Sequence, residues 1–153
     1  MANENSKFMV SEIKVSYHPK VKPSERPFAK NSKDAYEIFL NNWDMGKIYM
    51  VEEFKVMYLN RRSGVIGIYP MSLGGITGTI VDPRIILLAA IGCLSTQILL
   101  CHNHPSGNLK PSKSDIEATE KVKYAAKYFD IKLLDHLIIS DESYYSFADE
   151  GEI

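Results

Sequence analysis

The sequence is poor in cysteine, and it contains no internal repeat and no low-complexity tract. Cys93 and Cys101 are the two cysteines among its 153 residues, which are too few for a disulfide framework. Both have apolar neighbours and are predicted to be small buried hydrophobic residues. We therefore expect a fold built on an ordinary hydrophobic core, in a chain whose length is that of one domain.

The sequence also lacks a long apolar segment and an excess of either charge. The longest apolar run, within residues 85–94, is about half as long as a bilayer-spanning helix. The first ten residues mix polar and apolar types and do not form a signal peptide. With 18 basic and 19 acidic residues the net charge is -1, so no overall positive field attracts nucleic acid. We expect a cytoplasmic protein without a membrane partner, and the sequence specifies no oligomeric state.

Helical and extended patterns alternate along the chain, which predicts an α/β fold with a mixed central sheet. Residues 1–30 carry three prolines and are predicted to be an extended arm with a short strand at residues 13–17, before a domain at 31–153. Helices are predicted at 32–46, capped by Ser32, at 83–94, buried on nearly every side, and at 113–129. Strands are predicted at 49–59, 65–69, 96–101, 131–140 and, as an edge, at 144–147.

Residues 101–115 hold the polar groups with the clearest chemical meaning. His102 and His104 are two apart in an extended segment, so both imidazoles can reach one point in space. Asp115 begins the next helix and could join them, because Gly107 and two prolines let the chain fold back sharply. Two histidines and one carboxylate leave a fourth tetrahedral position open, as in a catalytic zinc site. A carboxylate from the strand at 49–59, Glu52 or Glu53, could carry the proton of a zinc-activated water.

A simpler interpretation of the same residues is a polar loop before a capped helix. Ser112 and Asp115 fit the Ser-x-x-Asp capping box, in which the serine caps the helix and the aspartate is its third residue. Capping and metal binding are compatible, since the serine can cap while the aspartate turns to the metal. The letters HNH at 102–104 do not indicate the nuclease of that name, and the second motif of the zinc deaminases is absent.

With its neighbours, this stretch resembles the JAMM motif of the JAB/MPN-domain metalloproteases. The words HNHPSGN, KPSKSD, LLDHLIIS and YYSFADEG resemble the RadC-like branch of that family, long labelled as DNA repair proteins. The resemblance implies a curved mixed sheet flanked by helices, similar to the cytidine deaminase-like architecture. It also implies cleavage of a peptide or isopeptide bond, with His102, His104 and Asp115 as Zn²⁺ ligands and Ser112 stabilising the oxyanion.

The resemblance also implies a choice between the two glutamates. In the family pattern a glutamate lies eight residues before the polar residue that ends its strand, and counting back from Asn60 identifies Glu52. Glu53 is expected to face the opposite side of the strand, toward solvent. Asn103 and Pro105 are expected to shape the ligand loop. Asp135 and His136 have two readings: a hydrogen bond to a zinc ligand, or a satisfied polar pair in the core.

Two other functions follow from the sequence. The first is a DNA-transaction accessory protein, for which basic residues around the proline-rich arm and at a predicted turn offer a contact surface: Lys20, Lys22, Arg26, Lys30, Lys33, Arg61 and Arg62. Residues of this kind are more often a solvated face. Residues 1–30, however, do not resemble the helix-hairpin-helix region that RadC-like proteins usually carry. The second is a noncatalytic scaffold, against which the retention of all three ligand positions argues.

Overall fold

The computed structural model describes residues 7–74 and 81–153. Within these ranges the chain forms three α-helices: α1 (Ser32–Asn41), α2 (Pro83–Gly92) and α3 (Lys113–Lys127). It also forms five strands: β1 (Glu53–Leu59), β2 (Val65–Leu73), β3 (Gln97–Asn103), β4 (Lys132–Ile139) and β5 (Tyr144–Ser146).

The strands of the described ranges form one mixed sheet in the order β2-β1-β3-β4-β5. The pair β3 and β4 is parallel, and the other neighbouring strands are antiparallel. Helix α3 makes the crossover between the two parallel strands, which require a connection of this length. The prediction of an α/β fold with a mixed sheet is confirmed.

The sheet buries both of its faces because its strands alternate apolar side chains between two helical layers. On one face, Phe39 of α1 lies in a buried cluster with Met57 of β1. On the other, α2 and α3 contribute Ile86 and Val122 to a cluster that includes Val56 of β1. At the end of β3, the side chains on this second face therefore project toward the first turn of α3.

Several elements are shorter or longer than predicted. Helix α1 is capped by Asn31 rather than Ser32, because the Asn31 side chain accepts a hydrogen bond of 2.8 Å from the backbone N–H of Asp34. It ends at Asn41, and the chain then turns until β1 begins at Glu53. Strand β3 extends through His102 to Asn103, two residues beyond the predicted strand.

Helix α2 departs most from its prediction. Its start is confirmed, with Asp82 as the cap and Pro83 as the first residue. The expectation of burial on nearly every side is wrong, since Leu88 is 67% exposed. A narrow stripe faces the sheet, and it consists of Ile86, Leu87 and Ala90. Cys93, just after the helix, is only half-buried, whereas Cys101 in β3 is buried as predicted.

The N-terminal segment has no strand at residues 13–17, and that prediction is wrong. Ile13 and Val15 are exposed, so their alternation does not reflect packing in a sheet. The Tyr17 hydroxyl donates to the carbonyl of Ile66 in β2, at 2.9 Å, and Ala29 is buried in the core. The division into an arm at 1–30 and a domain at 31–153 stays a prediction.

No helix in the described part of the chain combines the length and the hydrophobicity that crossing a membrane requires.

Candidate metal centre

The end of β3 and the start of α3 bring His102, His104 and Asp115 together. His102 is the penultimate residue of β3 and is almost completely buried. Beyond His104 the chain turns at Gly107, whose φ of 76° lies in the left-handed region that favours glycine. Helix α3 then begins so that Asp115, in its first turn, faces the two histidines.

Three ligand atoms converge on one point. The Nε2 atoms of His102 and His104 are 2.9 Å apart. The Asp115 carboxylate lies 3.2 Å from the His102 Nε2 and 3.4 Å from the His104 Nε2. A search of the described residues for groups of His, Cys, Asp and Glu side chains whose ligand atoms lie close enough together to hold a metal ion finds these three.

In each imidazole the Nδ1 atom already has a hydrogen-bond partner. The Nε2 atom is therefore left to face the point where the ligand atoms converge. The His104 Nδ1 lies 2.5 Å from the carbonyl oxygen of Asn108, which can only accept, so Nδ1 is the donor. A neutral imidazole has one N–H, and the Nε2 of His104 therefore presents a lone pair. The His102 Nδ1 lies 2.8 Å from the Nε2 of His136, which also leaves the His102 Nε2 facing His104.

Two lone pairs and a carboxylate facing one another repel unless a cation lies between them. Ligands about 2.0 to 2.1 Å from zinc at tetrahedral angles are about 3.3 Å apart, which the separations of 2.9, 3.2 and 3.4 Å approach. Histidine and carboxylate ligands suit zinc, and three protein ligands leave one position for water or substrate. The residues present thus fit a catalytic zinc ion.

Asp115 also takes part in the predicted capping box. Its carboxylate accepts from the backbone N–H of Ser112 at 2.7 Å, and the Ser112 Oγ accepts from the backbone N–H of Asp115 at 3.1 Å. The two predicted roles are therefore compatible in geometry. Burial raises the pKa of Asp115, but the hydrogen bonds that His102 and His104 donate when their rings are protonated outweigh it and hold that pKa well below its usual range. The Asp115 carboxylate, which accepts from the protonated ring, raises the pKa of His104 in turn.

Glu52 lies on the same side of the sheet as the three ligands. It directly precedes β1 and, with His104, Ser112 and Asp115, lines a cavity of about 400 Å³. Its backbone carbonyl accepts a hydrogen bond of 2.8 Å from the N–H of Gly74, just after β2. The structure thus places the carboxylate predicted as proton carrier beside the predicted metal ligands.

Glu53 points to the other face of the sheet, as expected, but the prediction that it meets solvent is wrong. Glu53 is only 8% exposed, and its carboxylate lies 3.6 Å from the Lys55 Nζ. Lys55 is itself held by the carbonyl of Asn42, at 2.7 Å, and lies over the ring of Trp43. The chain after α1 therefore covers both charged side chains.

Asn103 positions the segment that carries Glu52, a role the sequence did not indicate. It is completely buried, and its amide donates to the carbonyls of Ile48 at 2.7 Å and Val51 at 2.9 Å. Its Oδ1 accepts from the backbone N–H of Glu53 at 2.7 Å. Asn103 thus fixes the approach to β1, and its expected role in the ligand loop stays a prediction. The available signal was a polar residue between two candidate ligands at the end of an apolar strand.

Replacing Asn103 with alanine is expected to lower the free energy of unfolding by about 3 kcal/mol or more. Two carbonyls and one N–H would lose their partner in a buried site, and each unsatisfied group costs about 1 to 3 kcal/mol. Denaturant unfolding measures the change. The matched control is Asn41→Ala, because the exposed Asn41 amide donates to the carbonyl of Glu37 alone. Equal small losses in both variants would contradict the positioning role.

Asp135 contacts the backbone of His136 but not its ring, because the Asp135 carboxylate accepts from the His136 N–H at 2.7 Å. The Asp135 carboxylate accepts from the Ser146 hydroxyl at 2.6 Å and from the backbone N–H of Ala148 at 2.9 Å, so it anchors the end of β5. His136 points to the opposite face, where its ring nitrogens contact His102 and the Thr119 hydroxyl. Both residues are buried and hydrogen-bonded, and the geometry also provides the other reading of this dipeptide, a hydrogen bond between His136 and the candidate ligand His102. The participation of Thr119 was missed.

Sequence comparison finds known relatives of this chain. The family model described as "RadC-like JAB domain" matches residues 29–152. A "UPF0758 protein" from Flavobacterium johnsoniae is 50% identical over 100 residues, which are 65% of this chain and 44% of the relative. Another, from Porphyromonas gingivalis, is 45% identical over 101 residues, again 65% and 44% of the two chains. One from Herminiimonas arsenicoxydans is 35% identical over 125 residues, which are 82% of this chain and 55% of the relative. The chain spans about half the length of the curated relatives it matches.

Proposed function

The chain belongs to the RadC-like JAB domain family, and on this premise we propose that it is a zinc-dependent hydrolase of peptide or isopeptide bonds. The observation that carries the proposal is the convergence of two imidazole lone pairs and one carboxylate in a cavity that Glu52 also lines. The three ligands alone support metal binding but no particular reaction. A free carboxylate beside an incomplete ligand set adds the proton carrier that hydrolysis needs.

A zinc ion held by His102, His104 and Asp115 would polarise the scissile carbonyl and activate a water molecule as nucleophile. Glu52 takes a proton from the attacking water. As the C–N bond breaks, Glu52 returns that proton to the departing nitrogen, so the products are a carboxylic acid and an amine. One carboxylate can serve as base and then as acid because it ends the cycle in its starting state.

Ser112 is the proposed donor to the developing oxyanion. Its Oγ accepts a hydrogen bond from Asp115, an arrangement that fixes the oxygen while the hydroxyl proton stays available. Its position at the first turn of α3 adds the partial positive charge of a helix N-terminus. A fixed donor at this point stabilises negative charge without reorganising in the reaction.

The test combines metal content with cleavage of a defined panel. Purified protein is stripped with a chelator, reconstituted with zinc, and assayed on model peptides and on a lysine isopeptide. We expect about one zinc per chain by mass spectrometry and amide cleavage that disappears on stripping and returns with zinc. A protein that binds one zinc but cleaves no member of the panel would argue against hydrolysis. A protein that takes up no zinc would contradict the proposed metal site as well.

A further inference from the structure

A chain of buried hydrogen bonds runs behind the candidate ligands. It begins at Thr119, one turn after Asp115 in α3, whose hydroxyl donates to the Asp115 backbone carbonyl at 2.7 Å. The same Oγ1 lies 2.6 Å from the His136 Nδ1 in β4. The His136 Nε2 then meets the His102 Nδ1 in β3 at 2.8 Å.

The direction of every bond in this chain follows from one carbonyl group. The carbonyl of Asp115 can only accept, so the single proton of the Thr119 hydroxyl points to it. The hydroxyl oxygen must then be the acceptor in its contact with His136, and the His136 Nδ1 is the donor. A neutral His136 has no second N–H, so its Nε2 accepts from the His102 Nδ1. The chain therefore leaves the lone pair of His102 on Nε2, facing the metal centre.

The surroundings keep His136 neutral and its ring fixed. The residue has no exposed surface, and its ring nitrogens meet the Thr119 hydroxyl and the His102 ring rather than a carboxylate, so a charged imidazolium is disfavoured there. Its ring stacks on Phe147, with centroids 4.9 Å apart, and meets Phe54 edge-on at 5.6 Å. These two contacts fix the plane of the imidazole, in which its nitrogens reach Thr119 and His102.

We propose that His136 and Thr119 are positioning residues that fix the tautomer and the orientation of His102 for zinc. The inference rests on the metal site of the proposed function, but it does not depend on any hydrolytic activity. Partners of this kind orient ligating histidines, and their loss typically weakens metal binding by about 10–100-fold. The chain also joins the two ligand-bearing elements, since it runs from the backbone of Asp115 in α3 to the ring of His102 in β3.

Two pairs of variants separate positioning from packing. Thr119→Val keeps the shape of the side chain but removes the acceptor, and Thr119→Ser restores the hydroxyl. His136→Leu removes both nitrogens, whereas His136→Gln offers an acceptor and a donor of similar reach. Thr96→Val is the matched control, because Thr96 is exposed and lies outside the chain of bonds. Thermal unfolding verifies that each variant is folded.

The first measurement is the dissociation constant for zinc, obtained by competition with a chromogenic chelator. We expect binding about 10–100-fold weaker in Thr119→Val and His136→Leu, with affinity mostly recovered in the serine and glutamine variants. The second is the ¹⁵N NMR signature of His102 in metal-free protein, which should show a single Nδ1–H tautomer in wild type and a mixture in Thr119→Val.

The outcomes distinguish this inference from the proposed function. Wild-type zinc affinity together with an unchanged His102 tautomer in Thr119→Val would overturn the positioning role, even if the protein proves to be a hydrolase. If wild type cleaves no amide, the zinc affinities still decide the inference. If wild type takes up no zinc, the proposed function fails, and a mixed His102 tautomer in wild type would overturn the inference as well.

Discussion

Glu52→Gln is expected to lower the rate of amide hydrolysis by about 10²–10⁴-fold, the usual contribution of a general acid–base group. Glutamine keeps the size of the side chain but cannot take a proton from water. Because Glu52 lines the cavity without belonging to the three converging ligands, zinc content should stay at the wild-type value. Single-turnover rates on the best peptide of the panel, beside metal content, measure both quantities.

Glu53→Gln is the matched control, since the same change is made one residue further along the chain. Glu53 faces the opposite side of the sheet and pairs with Lys55, away from the cavity. We expect this variant to be less stable, because Lys55 loses its buried partner, but to hydrolyse at nearly the wild-type rate once folded. If Glu53→Gln loses activity and Glu52→Gln retains it, the assignment of the proton carrier is wrong.

Local signals in the sequence predicted the elements that frame the site. Asp82 followed by Pro83 marks the start of α2, and Ser112 with Asp115 marks that of α3, since caps depend on neighbouring residues alone. The change from helical to alternating periodicity predicted the strands β1 and β2, which pair antiparallel in the structure. Mixed helices and strands then left few arrangements other than a sheet covered on both faces.

Burial that depends on distant segments could not be predicted in the same way. The apolar run of α2 suggested a fully buried helix, but only one stripe contacts the sheet, and the run itself does not specify which residues form it. Glu53 was expected in solvent by simple alternation. Its burial needs Lys55, the carbonyl of Asn42 and the ring of Trp43, which come together only in the folded chain.

The candidate ligands could be predicted from the sequence, but the residues that support them could not, because their contacts join distant parts of the chain. His102 and His104 share a local pattern, and Asp115 follows within one loop, so the cluster could be predicted from spacing. Asn103, by contrast, bonds to groups fifty or more residues earlier in the chain. The contact between His136 and Thr119 joins β4 to α3, and neither residue has a neighbour in the sequence that indicates it.

Asp115→Asn is expected to abolish zinc uptake while leaving the start of α3 largely intact. Asparagine keeps an oxygen that can accept from the Ser112 N–H, so the cap survives the change. It removes the charge that balances the cation and replaces one carboxylate oxygen with a donor. The loss of zinc affinity should exceed the roughly 10–100-fold cost of losing an outer hydrogen-bond partner. Metal content and the far-UV circular dichroism spectrum measure the two effects.

Ser112→Ala makes the complementary change, because it removes the capping hydroxyl and keeps the carboxylate. We expect it to lower the free energy of unfolding by about 1 kcal/mol, the typical cost of a lost N-terminal cap, while one zinc is still bound. Zinc retained in Asp115→Asn would show that the carboxylate serves only the helix. Zinc lost equally in Ser112→Ala would show that the site depends on the first turn of α3 as a unit.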